Sequence, residues 1–254
     1  MTRGSATSGE ASISSATLPS DEAIRADRGI WARWVAANMA AETVGLVVTA
    51  AVAVAVAHLG DSGRGVLVAA AAMALVAAGA FEGGVVGYAQ WRVLRRPLPA
   101  LSARSWIVVT VLGAVVAWSA GLVPSTLMSM SDQGGGEPPL GLALQLLLAA
   151  AMGLVLGPVL GVPQWWVLRG FVDRAGWWVA ANAVAWAAGM PVIFLVAGRM
   201  PADASAVIIV AGVLAGCAVT GAVVGAVHGT WLVWLLRAAS EPPPAARASV
   251  RERG

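Results

Sequence analysis

Two stretches of this chain carry the same pattern at the same spacing inside long apolar blocks. One has Gly79, Gly83, Gly87, Gln90, Trp91, Leu94 and Arg95; the other has Gly153, Gly157, Gly161, Gln164, Trp165, Leu168 and Arg169. A third stretch keeps the spacing with changed letters: Cys217, Gly221, Gly225, His228, Gly229 and Leu232. Steps of four put each set of glycines on one slowly drifting helix face. Eleven residues after the first small residue, the Gln or His returns close to that face. Small residues at this spacing let helix backbones approach each other in lipid. The pattern therefore predicts helices that pack along a glycine stripe and carry a polar group near one end.

The blocks around these stripes lack the polar face that a soluble helix shows every turn. Hydrophobic residues make up 59% of the chain and charged residues 11%, against about 25% charged in an ordinary soluble domain. Six blocks reach the length of about 20 residues that a bilayer requires: 34–58, 65–91, 106–127, 140–168, 177–198 and 205–236. Residues 1–30 and 239–254 hold few large apolar groups and read as disordered tails. The Gly-rich and acidic stretch at 124–139 reads as an outer loop. No apolar signal-peptide core precedes the first span.

All sixteen basic residues are Arg, and their placement predicts orientation. Arg25, Arg28 and Arg33 precede span one. Arg92, Arg95, Arg96 and Arg104 follow span two, Arg169 and Arg174 follow span four, and Arg237 follows span six. The alternate links hold only Arg64 and Arg199, with Asp132 and Glu137 between spans three and four. By the positive-inside rule both termini are cytoplasmic. The Ala- and Arg-rich, Lys-free composition suggests a GC-rich bacterial genome, hence a bacterial inner membrane. Trp34, Trp91, Trp106, Trp165, Trp166, Trp177 and Trp178 fall at the same ends, where rings suit the headgroup region. Trp118 and Trp186 lie deeper and read as packing residues.

The odd-numbered spans repeat too. Trp34-Val-Ala-Ala-Asn38 matches Trp178-Val-Ala-Ala-Asn182, and Ala117-Trp118 with Gly121 matches Ala185-Trp186 with Gly189. The fold class this predicts is an all-α integral membrane protein. Its six helices, at 31–238, form three parallel two-helix repeats (31–96, 104–170 and 175–238), related by an axis along the membrane normal as a pseudo-threefold bundle. Pro158 and Pro163 are expected to interrupt span four, and Pro191 span five.

Glu42 and Glu82 are the carboxylates deep in apolar sequence. Each lies about 12–14 Å inward from the Trp level of its span, so the two share a depth on adjacent antiparallel helices. Ionised and unpaired they would be costly there; side by side they could share one proton. On the Trp118–Trp186 match, Trp118 and Trp186 occupy the Glu42 register, and Leu156 and Thr220 that of Glu82. Gln90, Gln164 and His228 form the repeated polar set, and Asn38 and Asn182 could bond across helices near them. Glu42, Glu82, Gln90, Gln164 and His228 are thus the transport or proton-coupling candidates. Gly79, Gly83, Gly87, Gly153, Gly157, Gly161, Gly221 and Gly225 are the helix-packing ones.

Catalytic chemistry finds little to use. Cys217 is the one cysteine, His58 and His228 fall on opposite sides of the membrane, and no Lys is available for a phosphate loop. No metal site, cofactor or nucleic-acid surface is expected. Lipid is the partner the spans imply; a second copy of the chain or another membrane protein stays open.

The Gly-x-x-x-Gly-x-x-Gln-Trp-x-x-Leu-Arg pattern at 83–95 and 157–169 resembles repeats in uncharacterised multi-pass membrane proteins of actinobacterial type. The resemblance covers about two-thirds of the chain, counting the altered third copy. It implies a small integral membrane protein and no particular activity. The functional expectation is a structural or partner-binding membrane scaffold. The alternative is a small-solute or ion transporter or channel, proton-coupled through Glu42 and Glu82, with a membrane enzyme behind both. A cavity reaching Glu42 would favour transport; a dry core would favour the scaffold.

Overall fold

Runs of Ala, Leu and Val with few backbone-competing polar residues favour helix. In the computed structural model, which describes residues 20–59, 65–131, 141–199 and 205–240, every long apolar block is one. They are α1 (Asp21–Leu59), α2 (Gly65–Leu94), α3 (Ala103–Ser131), α4 (Leu142–Leu168), α5 (Trp177–Gly198) and α6 (Ala206–Ser240). All six are long and apolar enough to cross a membrane. The described residues contain no strand. The chain is a multi-pass helical membrane protein.

Several bounds differ from expectation for local reasons. α1 begins at Asp21, so residues 21–30 are helix and not tail. Ser20 Oγ accepts the Ala23 N–H at 3.3 Å, and Asp21 and Glu22 occupy the first turn, where carboxylates offset the helix dipole. The extension is tied to α6: Trp31 Nε1 donates to the Ala226 carbonyl at 3.1 Å, and Arg237 Nε donates to Asp27 Oδ2 at 2.6 Å within an ion pair. α3 runs on to Ser131, taking the first half of the expected outer loop. The rest of that loop, with Asp132 and Glu137, lies outside the described residues, as do Arg64, residues 1–19 and 241–254 of the tails, and the side chain of His58.

The prolines do not interrupt their helices. α4 is continuous through Pro158 and Pro163, and α5 through Pro191. A proline withholds one donor from the carbonyl four residues back, which a packed neighbour can shelter. The Val159 carbonyl, freed by Pro163, faces α3 at Gly113, whose absent Cβ would sit 3.4 Å from it.

Among the described residues each helix packs on its neighbours in chain order, and α6 returns to α1. The six form a closed ring in which no two non-neighbouring helices approach backbone to backbone, so that only side chains meet across the middle. The glycine stripes show which contacts are tightest. On α2, a Cβ at Gly83 would lie 3.1 Å from Val111 Cα, and one at Gly87 3.1 Å from Ile107 Cα; Gly79 lies against the Trp118 ring. All three meet α3. On α4, Gly153 and Gly157 press on the α5 backbone at Trp186 and Asn182, and Gly161 on the Asn182 side chain. On α6, a Cβ at Gly221 would lie 2.8 Å from Met39 Cα, and one at Gly225 3.1 Å from Val35 Cα, both on α1. Each stripe therefore faces the next odd helix, not its partner in the expected hairpin. The hairpin contacts use other glycines: Gly45 against Glu82, Gly113 against Leu160 and Gly189 against Val224.

Candidate functional site

At the end of the ring that holds Asp27 and Arg237, three indoles fill the middle. Trp34, Trp106 and Trp178 are wholly buried. Trp178 lies 5.8 Å from Trp34 and 6.4 Å from Trp106 between ring centroids. Leu94, Leu168, Leu232 and Leu235 pack around them. This corrects the expectation that all seven Trp residues at these ends form a headgroup belt. Trp166 and Trp177 are exposed and suit it, and Arg169 lies over Trp166 at 3.4 Å. The three buried rings instead have polar partners or one another.

Those partners make a second layer one turn deeper. Trp106 Nε1 donates to Gln90 Oε1 at 3.3 Å, and Trp178 Nε1 to Gln164 Oε1 at 2.9 Å. Gln164 Nε2 donates to Gln90 Oε1 at 3.2 Å and to Thr110 Oγ1 at 3.1 Å. Gln90 Nε2 donates to Asn38 Oδ1 at 2.9 Å. Asn38 and Asn182 donate back to the carbonyls of Trp34 and Trp178 at 2.8 and 2.9 Å. Asn38 thus bonds across helices as expected, while Asn182 donates within α5.

His228 on α6 does not follow the two Gln residues. His228 stacks on Trp178, with centroids 5.2 Å apart. Both its ring nitrogens are buried without a partner, and so is Trp34 Nε1.

Above the amide layer the ring encloses a cavity of about 370 Å³. It runs from Asn38, Gln90, Gln164 and His228, past Glu42 and Glu82, to Leu46, Gly121 and Phe194. From Asn38 to Leu46 is eight residues of α1, about 12 Å. All five polar candidates line it. Most of the remaining lining is apolar: Met152, Leu156, Leu160, Met190 and Ile193, with Trp118 and Trp186.

Glu42 and Glu82 come together as their shared depth predicts. Glu82 has Glu42, Trp118 and Thr49 as hydrogen-bonding neighbours, with Thr49 Oγ1 at 3.5 Å from Glu82 Oε2. Glu42 Oε2 is buried with no partner. Gly45 makes the approach possible, because the Glu82 side chain occupies the place its Cβ would take. Thr49 was not singled out from sequence, although it lies seven residues after Glu42, two turns along the same face.

The register of α3 needs correcting. Aligned on the buried Trp layer, eight residues past Trp34, Trp106 and Trp178 stand Glu42, Ala114 and Trp186. Trp118 is one turn farther in, where it covers Gly79 and reaches Glu82. Matching on Trp118 and Trp186 had shifted α3 by four residues, because an Ala-rich helix tolerates a one-turn slip without losing its apolar pattern.

Cys217 is half-buried on α6. Among the described residues, no three His, Cys, Asp or Glu side chains converge as metal ligands. No protein-family model, no curated protein and no solved structure matches this chain.

Proposed function

We infer that this protein takes a small solute into a cavity within the membrane, as a transporter does. The observation that carries the reading is the space of about 370 Å³ that reaches Glu42 and Glu82. Protein interiors are close-packed, and pockets of about 300–1,000 Å³ with an apolar lining and few polar groups are typical of small-molecule sites. A scaffold that only holds partners needs neither the space nor two buried carboxyl groups. The indole and amide layers close one end, so the solute enters from the other. The Arg distribution supports placing the closed end, with both termini, in the cytoplasm of a bacterium.

The reading extends to symmetry. The contacts α2–α3, α4–α5 and α6–α1 use glycine stripes at equivalent positions, and Gln90–Trp106 and Gln164–Trp178 are equivalent bonds. These support three repeats around one axis, with the third altered at His228. The alteration has an expected consequence. His228→Gln supplies an acceptor at the position from which Gln90 and Gln164 receive an indole N–H. It should raise stability by about 1 kcal/mol, the net worth of one hydrogen bond. Thermal unfolding of the purified variant checks this; a lower midpoint would mean that the His228 stack on Trp178 outweighs the missing bond.

The test of the solute cavity is access. Ala117 lines it, and Cys217 can be replaced by Ser to leave one thiol. In an Ala117→Cys, Cys217→Ser variant reconstituted in liposomes, neutral N-ethylmaleimide should modify the new thiol, because thiolate forms only where water reaches it. A thiol that reacts only after denaturation would refute the cavity reading and leave the scaffold.

A further inference from the structure

Resting on that reading, we propose that the solute is a small organic cation: an ammonium group seated on the Glu42–Glu82 pair, with a compact apolar body in the cavity.

The carboxyl pair sets the charge. Contact between two carboxyl groups requires at least one proton between them, so the pair carries at most one negative charge, and a cation seated on it favours that singly protonated form. Glu82 is already engaged by Thr49, Trp118 and Glu42. Glu42 Oε2 is the acceptor left over, on a residue 2% exposed that lines the cavity. Among the described residues no Arg lines the cavity, and the chain has no Lys. A cation entering the cavity therefore meets no competing basic side chain among the described residues, and its donor belongs on Glu42 Oε2.

The rest of the lining selects the kind of cation. A bare metal ion takes six or more oxygen ligands, or a smaller set of His and Cys, and the described residues cluster no three such acidic, His or Cys side chains. An ammonium needs fewer partners and is attracted to aromatic rings. Trp118, Trp186 and Phe194 line the same cavity as the carboxyl pair. Leu46, Leu156 and Met190 offer an apolar body the contacts that a hydrated ion would waste. An anionic solute would meet like charge at mid-depth. A neutral alcohol could also donate to Glu42 Oε2, and the experiment separates it.

Binding of n-hexylammonium, n-hexanol and n-hexanoate to the full chain in nanodiscs, with empty nanodiscs subtracted, makes the test. These probes share a body and differ in head group. Hexylammonium should bind about tenfold or more tightly than hexanol, and hexanoate should not bind. Glu42→Gln keeps the side-chain shape and should abolish the preference for hexylammonium. Gly121→Leu should weaken hexylammonium and hexanol alike, because Gly121 lines the cavity, a Cβ there meets none of the described residues within 4 Å, and the added side chain fills the cavity while sparing both carboxyls. Hexanol binding as well as hexylammonium to the wild type, or an unchanged preference in Glu42→Gln, overturns the cation proposal and leaves the solute cavity standing. If Glu42→Gln does not fold, the wild-type head-group series and Gly121→Leu decide alone. Failure of all three probes, together with an unreactive Cys at position 117, overturns the cavity reading itself.

Discussion

Gly157→Ala should cost the folded protein about 3 kcal/mol, while Gly121→Ala should leave it unchanged. The two substitutions add the same methyl group to a membrane helix, and what differs is what the methyl meets. At Gly157 it falls against the Asn182 carbonyl, and 2.7 Å from Ala183 Cα on α5. Those are backbone atoms of a packed helix and cannot rotate away as a side-chain tip can. Room for the methyl must come from moving α4 off α5, which also strains the Trp178–Gln164 bond between those helices. Overpacking of a tight interior costs about 1–3 kcal/mol, and this contact belongs at the upper end. A Cβ added at Gly121 meets nothing within 4 Å among the described residues. Unfolding of both variants in mixed detergent micelles, with folded yield by size exclusion, makes the comparison. Equal stability of the two would remove the account of the stripe as a backbone contact.

Gln164→Leu should destabilise by about 2–3 kcal/mol, well beyond the loss of one membrane hydrogen bond. Interhelical hydrogen bonds in membranes average about 0.6 kcal/mol each, so a simple tally of bonds predicts a smaller effect. Gln164, however, is the centre of its layer. It accepts from Trp178 Nε1 and donates to both Gln90 and Thr110. Leu in its place leaves the Trp178 N–H buried without an acceptor and takes a donor from Gln90 and from Thr110. An unsatisfied buried group costs about 1–3 kcal/mol, and the wholly buried Trp178 indole has no water to turn to. Thr110→Ala should cost less, about 1 kcal/mol, because the Trp106 carbonyl it leaves lies inside the continuous helix α3 and Gln164 Nε2 still has Gln90 Oε1 to donate to. A double-mutant cycle of Gln164→Leu with Trp178→Phe should return a clear coupling. Wild-type stability in Gln164→Leu would mean that the amide layer holds nothing together.

The Glu42–Glu82 pair shows how far depth alone can carry a reading. Counting residues from the Trp level placed both carboxyls at one height on neighbouring helices, and they meet there. Counting could not say that Gly45 makes room for the Glu82 side chain, or that Glu42 Oε2 ends without a partner. Nor could it reveal a cavity, which is a property of where six helices stop short of one another. The buried Trp layer was misread for a related reason. An indole near the end of a span looks the same in sequence whether it faces headgroups, as Trp166 does, or the ring interior, as Trp34 does. Only the rotation of each helix about its own axis distinguishes them.

Hydropathy and length are properties of one segment at a time, and the amino-acid sequence alone determined everything that depends on them: six membrane-spanning helices, their bounds to within a turn at most ends, and the existence of a small-residue stripe on each even helix. Local side-chain chemistry accounts for the early start of α1 once the Ser20 cap is recognised. Partner choice is a property of two segments. A glycine stripe makes a close neighbour possible without naming which helix it will be. The tertiary structure decided that α2, α4 and α6 turn their stripes toward α3, α5 and α1. That choice closes the ring and rotates Trp34, Trp106 and Trp178 inward. It also leaves room above them, where two carboxyl groups share a cavity with apolar walls.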